Sequence, residues 1–230
     1  MIRRCGLIAA LDTMDLGQAL QWSRLVAGSC GMVKVGLEFF LANGANGVGA
    51  LDGVPVFLDL KLHDIPNTVA GAVRAVLPLR PRMLTLHAAG GAAMLQAARV
   101  AADAAGEWRP QLLAVTVLTS LDAAALTETG IQGGTAAQVL RLARLALAAG
   151  ADGLVCSPHE VTMLRDALGQ APLLVVPGIR PAGAAAGDQA RSLTPREAAA
   201  AGADWLVVGR PITQAADPAQ AALEIAAEIA

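Results

Sequence analysis

The sequence predicts an α/β fold, a single (β/α)8 TIM barrel spanning residues 1–230, on three observations. Eight short apolar runs lie along the chain, each followed by a segment of helical character. The runs read as continuous Val, Ile and Leu stretches, as strands do when both their faces are buried. Polar and charged residues gather where the runs end, and barrels of this kind carry their chemistry at the C-terminal ends of the strands. Eight βα units in this length favour a closed barrel over an open doubly wound sheet.

The runs occupy residues 7–11, 32–35, 56–60, 83–86, 112–118, 153–156, 173–176 and 205–208. Between them, spacings such as Leu140, Ala143, Leu147 and Met163, Leu164, Ala167 place apolar side chains on one helical face. Pro66 suits the first turn of the helix after the third run, where a missing N–H costs nothing. His159, following Ser157-Pro158, belongs to another helix first turn. No linker, low-complexity tract or second domain interrupts the alternation.

Composition narrows the function classes. The chain is 55% hydrophobic, too apolar for disorder, and most of the excess is alanine, a strong helix former. A mean hydropathy of +0.52 raises the question of a membrane. Arg141 and Arg144 interrupt the apolar stretch 139–151, and Asp204 interrupts the one before Trp205. A spanning helix needs roughly 20 apolar residues with few charges. Arg3 and Arg4 are followed by the short run 7–11 and then Asp12 and Asp15, a poor signal peptide. A cytoplasmic protein without a membrane partner is expected. Cys5, Cys30 and Cys156 are odd in number and widely spaced, against a disulfide framework or a zinc site. The net charge of -2 with no basic run argues against nucleic acid, while an anionic small molecule stays compatible.

The run ends hold the candidate site. Run one ends in Asp12, and run two contains Lys34. Run three continues as Asp59-Leu-Lys61-Leu-His63-Asp64, run four ends in His87 and run five in Thr119-Ser120. Run seven ends in Pro177-Gly-Ile-Arg180 and run eight in Gly209-Arg210-Pro211. Strand alternation puts Phe57, Asp59 and Lys61 on one face, into the barrel, and Val56, Leu58 and Leu60 on the other. With Lys34 and Asp64 this predicts an alternating Lys–Asp–Lys–Asp cluster at the mouth. A structural ion-pair network is the bland alternative, but buried pairs contribute little to stability, so four such charges need another reason. His63, His87, Asp59 and Asp64 could ligate a cation, yet the interleaved lysines oppose a divalent ion, and a structural hydrogen bond is the expected role of both histidines. Cys156 reads as a buried apolar side chain rather than a nucleophile. The Gly- and Ala-rich segment 181–192 is long for a βα loop and reads as a mobile lid.

The stretch Phe57-Leu-Asp-Leu-Lys-Leu-His-Asp-Ile-Pro-Asn-Thr-Val69 resembles the signature of orotidine 5'-monophosphate decarboxylases. Further matches run in order: Ala10-Leu-Asp12, Val33-Lys-Val-Gly36, His87 with Gly90-Gly91, and Val115-Thr-Val-Leu-Thr-Ser120. Pro177-Gly-Ile-Arg-Pro181, Gly187-Asp-Gln189 and Val208-Gly-Arg-Pro-Ile-Thr213 extend them over essentially the whole chain. The ordered set is similar to the compact bacterial branch of that family.

The resemblance implies a cofactor-free, metal-free lyase that converts the nucleotide orotidine 5'-monophosphate to UMP and CO2. In it Lys61 resembles the proton donor to C6, and Asp59 the carboxylate beside the leaving CO2. Asp64 and Thr68 resemble residues that reach the neighbouring subunit's site, which implies a homodimer. Asp12 and Lys34 resemble a ribose-binding pair, with Lys34 also holding the catalytic charges. Thr119 with Ser120 resembles the pyrimidine contact. Gln189, Gly209 and Arg210 resemble the phosphate grip, with Arg180 at the base of the lid. The chain has no tyrosine, so the lid's phosphate contact falls to Gln189, Arg210 or backbone. Two other functions share parts of the pattern: an Mg-dependent sugar-phosphate lyase or synthase, and a noncatalytic barrel that binds a phosphate ligand.

Overall fold

The computed structural model describes residues 5–51, 53–181 and 193–229, and its strands close on themselves. The eight strands are β1 (Gly6–Ala10), β2 (Met32–Gly36), β3 (Val56–Leu62), β4 (Met83–His87), β5 (Gln111–Val115), β6 (Gly153–Val155), β7 (Leu173–Val176) and β8 (Trp205–Val208). They pair in sequence order, all parallel, and β8 returns to β1 through registers such as Leu7↔Leu206 and Ile8↔Val207. Helices cover the outside: α1 (Leu16–Val26), α2 (Leu37–Gly49), α3 (Pro66–Val76), α4 (Gly91–Asp103), α5 (Ala123–Glu128), α6 (Gly134–Ala148), α7 (Val161–Leu168), α8 (Pro195–Ala201), α9 (Arg210–Thr213) and α10 (Pro218–Glu228). The (β/α)8 barrel is thus the observed architecture. Among the described residues no helix is long and apolar enough to cross a membrane.

Strand alternation splits the core into two shells. Ile8, Ala10, Met32, Phe57, Met83, Leu113, Val175 and Val207 fill the barrel interior. Their neighbours Leu7, Ala9, Leu58, Leu84 and Leu112 face the helices, against Val69, Val73, Ala98 and Val139. Alanine does more here than favour helices. Ala19, Ala98, Ala102, Ala143, Ala146, Ala198 and Ala222 are fully buried, where a small side chain lets helix and sheet approach closely. Helix starts follow local chemistry: Asp15, Asp122 and Asp217 accept from the N–H groups of Gln18, Ala125 and Gln220, and Pro66 opens α3 as its position predicts.

Run five ends sooner than its apolar pattern suggests. β5 stops at Val115, and Thr116 and Val117 are buried outside the sheet before a turn from Leu118 to Leu121. Apolarity reports burial, not sheet pairing, so the extra residues belong to the connection that carries Thr119 toward the mouth.

The floor of the barrel is braced separately. The Trp205 ring fills the space beside Gly6 and Gly31, where a Cβ at Gly31 would come within 2.9 Å of the ring. One residue before β6, Asp152 takes two bonds from Arg109, at 2.7 and 2.8 Å, and the Leu112 N–H. One residue before β8, Asp204 repeats the device with Arg165 at 2.6 Å and the Leu174 N–H at 2.8 Å. Both side chains of the second pair are 6% exposed. Asp204→Ala would leave the buried Arg165 guanidinium with the carbonyls of Gly169, Pro172 and Gly202 but without this carboxylate, so the unfolding free energy in urea should fall by about 3–5 kcal/mol. A loss below ~1 kcal/mol would mean that the pair does not brace the floor.

Candidate functional site

Four charged side chains meet where β1, β2 and β3 end. Asp12 lies two residues past the end of β1, Lys34 projects from β2, and Asp59 and Lys61 come from β3. Lys34 Nζ donates to Asp12 Oδ1 at 3.0 Å and lies 3.6 Å from Asp59 Oδ2. Lys61 Nζ reaches both Asp59 oxygens, at 2.9 and 2.8 Å. Lys34 and Asp59 are each only 9% exposed. Burial by itself would raise the Asp59 pKa, but the charges of Lys34 and Lys61 and the hydrogen bonds from Lys61 and Thr85 outweigh it and hold the carboxyl below its ordinary range.

Lys61 arrives there by a route that flat alternation does not describe. Between the pairs Leu58↔Leu84 and Leu62↔Leu86, β3 advances four residues and β4 only two, so β3 bulges across Asp59 and Lys61. Lys61 has φ +49, in the left-handed region. Leu60 stays buried toward the helices, as alternation predicts. Bulges re-aim side chains next to active sites, and here the bulge turns the ammonium back onto the carboxylate.

The array lines a cavity of about 270 Å³ at the barrel mouth. Phe57, Val115, Val155 and Val207 give it apolar walls, and Thr119, Arg180, Gly209 and Arg210 join the lining from the ends of β5, β7 and β8. Gly209 sits against β1, where a Cβ would lie at ordinary contact distance, 3.5 Å from Ala10 Cβ and 3.9 Å from Asp12 Oδ2. A concave pocket with apolar walls and a few convergent polar groups is the usual form of a small-molecule site.

The chain matches the model of the orotidine 5'-phosphate decarboxylase / HUMPS family over residues 6–225. The chain belongs to this family. It is 54% identical to the orotidine 5'-phosphate decarboxylase of Gluconobacter oxydans, over 100% of this chain and 99% of that one. It is 58% identical to the protein of the same name from an Anaeromyxobacter species, over 95% and 96%. Among solved structures, the orotidine 5'-phosphate decarboxylase of Lactobacillus acidophilus superposes with a TM-score of 0.88 at 39% identity, covering 98% of this chain and 99% of that one.

Within this family member the structure brings together most of the site that its sequence suggests, with corrections. Asp64 does not join the lysines of its own chain. It is exposed and accepts the N–H of Ile65 at 2.6 Å, and Asp12 takes its place, making the array Asp12–Lys34–Asp59–Lys61. Residues 63–68, Thr68 included, are all exposed. Ser120 is exposed and does not line the cavity, unlike Thr119, because the chain turns at Leu118. Gln189 and the segment 182–192 lie outside the described residues, while their flanks meet in an Ile179↔Leu193 bridge. Among the described residues His63 and His87 form no hydrogen bond; their ring centroids lie 5.3 Å apart, with the planes tilted by 36°. Burial first, then the charges of His63 and Lys61, hold His87 below its ordinary pKa. Among the described residues no three His, Cys, Asp or Glu side chains converge to hold a metal ion.

Sequence reasoning passed over Thr85. Its parity with Met83 and His87 was the available signal, since alternate residues of β4 must face the barrel.

Cys156 lines the cavity, yet burial, and then the charge of Glu160, push its thiol up. Burial pushes Cys30 up to about 12, and burial with Asp204 pushes Cys5 up to about 12. A thiol with such a pKa is thiolate in about one molecule in 10,000 at pH 8, and only the thiolate attacks. At pH 8 all three should therefore resist a disulfide reagent until the chain is unfolded. Stoichiometric labelling of native protein within seconds would contradict these environments.

Proposed function

We propose that this chain decarboxylates orotidine 5'-monophosphate to UMP and CO2, the last step of de novo pyrimidine nucleotide synthesis, without metal or cofactor. The observation that carries the reading is the nearly buried Asp59 carboxylate gripped between two lysine side chains at the barrel mouth. Loss of CO2 leaves an electron pair in an in-plane orbital at C6, orthogonal to the ring's π system and so not spread by it. That pair needs a positive charge placed in advance. Lys61 supplies the charge and then its proton: the C6–carboxyl bond breaks, a C6–H bond forms, and the amine is reprotonated by water.

Asp59 lies beside the substrate's carboxylate in this reading. Two like charges ~4 Å apart at an effective dielectric of about 20 repel by about 4 kcal/mol. Relieved fully at the transition state, that amounts to about three decades of rate. Carbanion stabilisation by Lys61 is the larger contribution to so slow a reaction. Asp12 and Lys34 hold the ribose, and Thr119 meets the pyrimidine. Arg180, Gly209, Arg210 and Gln189 take the phosphate, because barrels of this type bind phosphate after strands seven and eight.

The same reading makes the chain a single-domain cytoplasmic enzyme that works as a homodimer. Asp64 and Thr68 reach the neighbouring site; their exposure supports this, with Asp64 accepting the Ile65 N–H.

Absorbance of orotidine 5'-monophosphate should fall in the presence of EDTA, with UMP as product. Lys61→Ala should lose at least ~1,000-fold in kcat. No turnover in EDTA, with activity on a sugar phosphate once Mg2+ is added, would move the chain to the sugar-phosphate reaction. Lys61→Ala and Asp64→Ala subunits, each nearly inactive alone, should recover up to about a quarter of wild-type activity when mixed, since half the dimers then carry one intact site. No recovery despite proven subunit exchange would overturn the shared site.

A further inference from the structure

β4 carries a hydroxyl into the barrel between the inward-facing Met83 and His87. Thr85 is completely buried, between Leu84 and Leu86, which face the helices. A buried hydroxyl left unpaired costs about 1–3 kcal/mol. Thr85 is satisfied in both senses: Oγ1 donates to Asp59 Oδ1 at 2.9 Å and accepts the backbone N–H of Lys61 at 2.8 Å. The second bond answers a specific need. The bulge in β3 takes the Lys61 N–H out of the regular ladder with β4, and the backbone there stands at φ +49. A left-handed conformation at a residue other than glycine costs about 1–2 kcal/mol and persists only where its surroundings hold it.

We propose that Thr85 is a positioning residue for the reaction: one hydroxyl pins the bulge that presents Lys61 and aims the carboxylate that Lys61 faces. The inference rests on the decarboxylase reading of this site. Removing the hydroxyl frees the Lys61 backbone to relax and lets the carboxylate turn, so the ammonium drifts from the reacting carbon. A misplacement of ~1 Å can cost about 100-fold in rate. Binding should change little, because Thr85 is not among the residues lining the cavity. Asp59 is faced by Lys34 from β2, Lys61 from β3 and His87 from β4, with Asp12 beyond Lys34. Losing the Thr85 hydrogen bond removes one of the influences that keep its carboxyl acidic.

The test compares Thr85→Val and Thr85→Ser with wild type on orotidine 5'-monophosphate across pH, at equal folded fraction. The valine chain should lose about 100-fold in kcat with KM within about 3-fold. The acid limb of its rate profile should move to higher pH, since a less stabilised carboxylate protonates earlier. Serine, which keeps the hydroxyl, should restore the profile and bring kcat to within about 5-fold of wild type. Should the valine chain not fold, Thr85→Ala is read by the same quantities. A kcat within about 3-fold of wild type in the hydroxyl-free variant would overturn the inference. So would a loss that serine does not recover, or one with the acid limb unmoved. An inactive wild type would overturn the decarboxylase reading and this inference together; an active wild type with an indifferent Thr85 variant would overturn this inference alone.

Discussion

Everything at the mouth of this barrel is arranged around one carboxylate that cannot leave water without company. Asp59 is nearly buried, and an isolated charge in that position would neutralise itself or destabilise the fold. Lys34 and Lys61 offset its desolvation, Thr85 adds a hydrogen bond, and Asp12 in turn partners Lys34. Each member explains the next. The carboxylate needs two cations, the second cation needs a bulged strand to reach it, and the bulge needs an acceptor for its displaced N–H.

The scaffold separates the duties that such a site would otherwise put in conflict. Stability is concentrated in the two apolar shells and at the floor, where Trp205 fills the space by Gly6 and Gly31 and the Arg109–Asp152 and Arg165–Asp204 pairs tie strand starts together. Those pairs are closed by backbone N–H groups, so they are satisfied networks rather than reactive ones. The mouth is left to hold unlike charges side by side, facing a cavity. The division matches the general habit of these barrels, with function at the C-terminal ends of the strands and stability at the other face.

Most of the architecture was legible because buried parallel strands write themselves as apolar runs. All eight runs became strands, seven with bounds within two residues of the pattern. The exception, run five at residues 112–118, overran because a buried turn is as apolar as a strand. Asp12, Lys34, Asp59 and Lys61 were legible as charges ending such runs. Three things were not. Alternation placed Lys61 on the right face but concealed the bulge, whose signature is a register shift against β4 and not a residue type. Asp64 is close to Lys61 in sequence, yet the strand-to-helix turn leaves it exposed. Thr85 looked like an ordinary strand threonine, because its worth lies in partners 24 and 26 residues away.

The central claim is that the Asp59-centred array exists for chemistry and not for the fold. Buried ion pairs replaced as a set by neutral groups of similar size typically leave stability unchanged or improve it by about 1–4 kcal/mol. The direct measurement is the unfolding free energy of a chain carrying Lys34→Met, Asp59→Asn and Lys61→Met together, the asparagine keeping an acceptor for Thr85. The account predicts a stability within about 1 kcal/mol of wild type or above it, in a protein that no longer turns over substrate. A loss of about 3 kcal/mol or more would contradict it and make the array a structural clasp of the barrel.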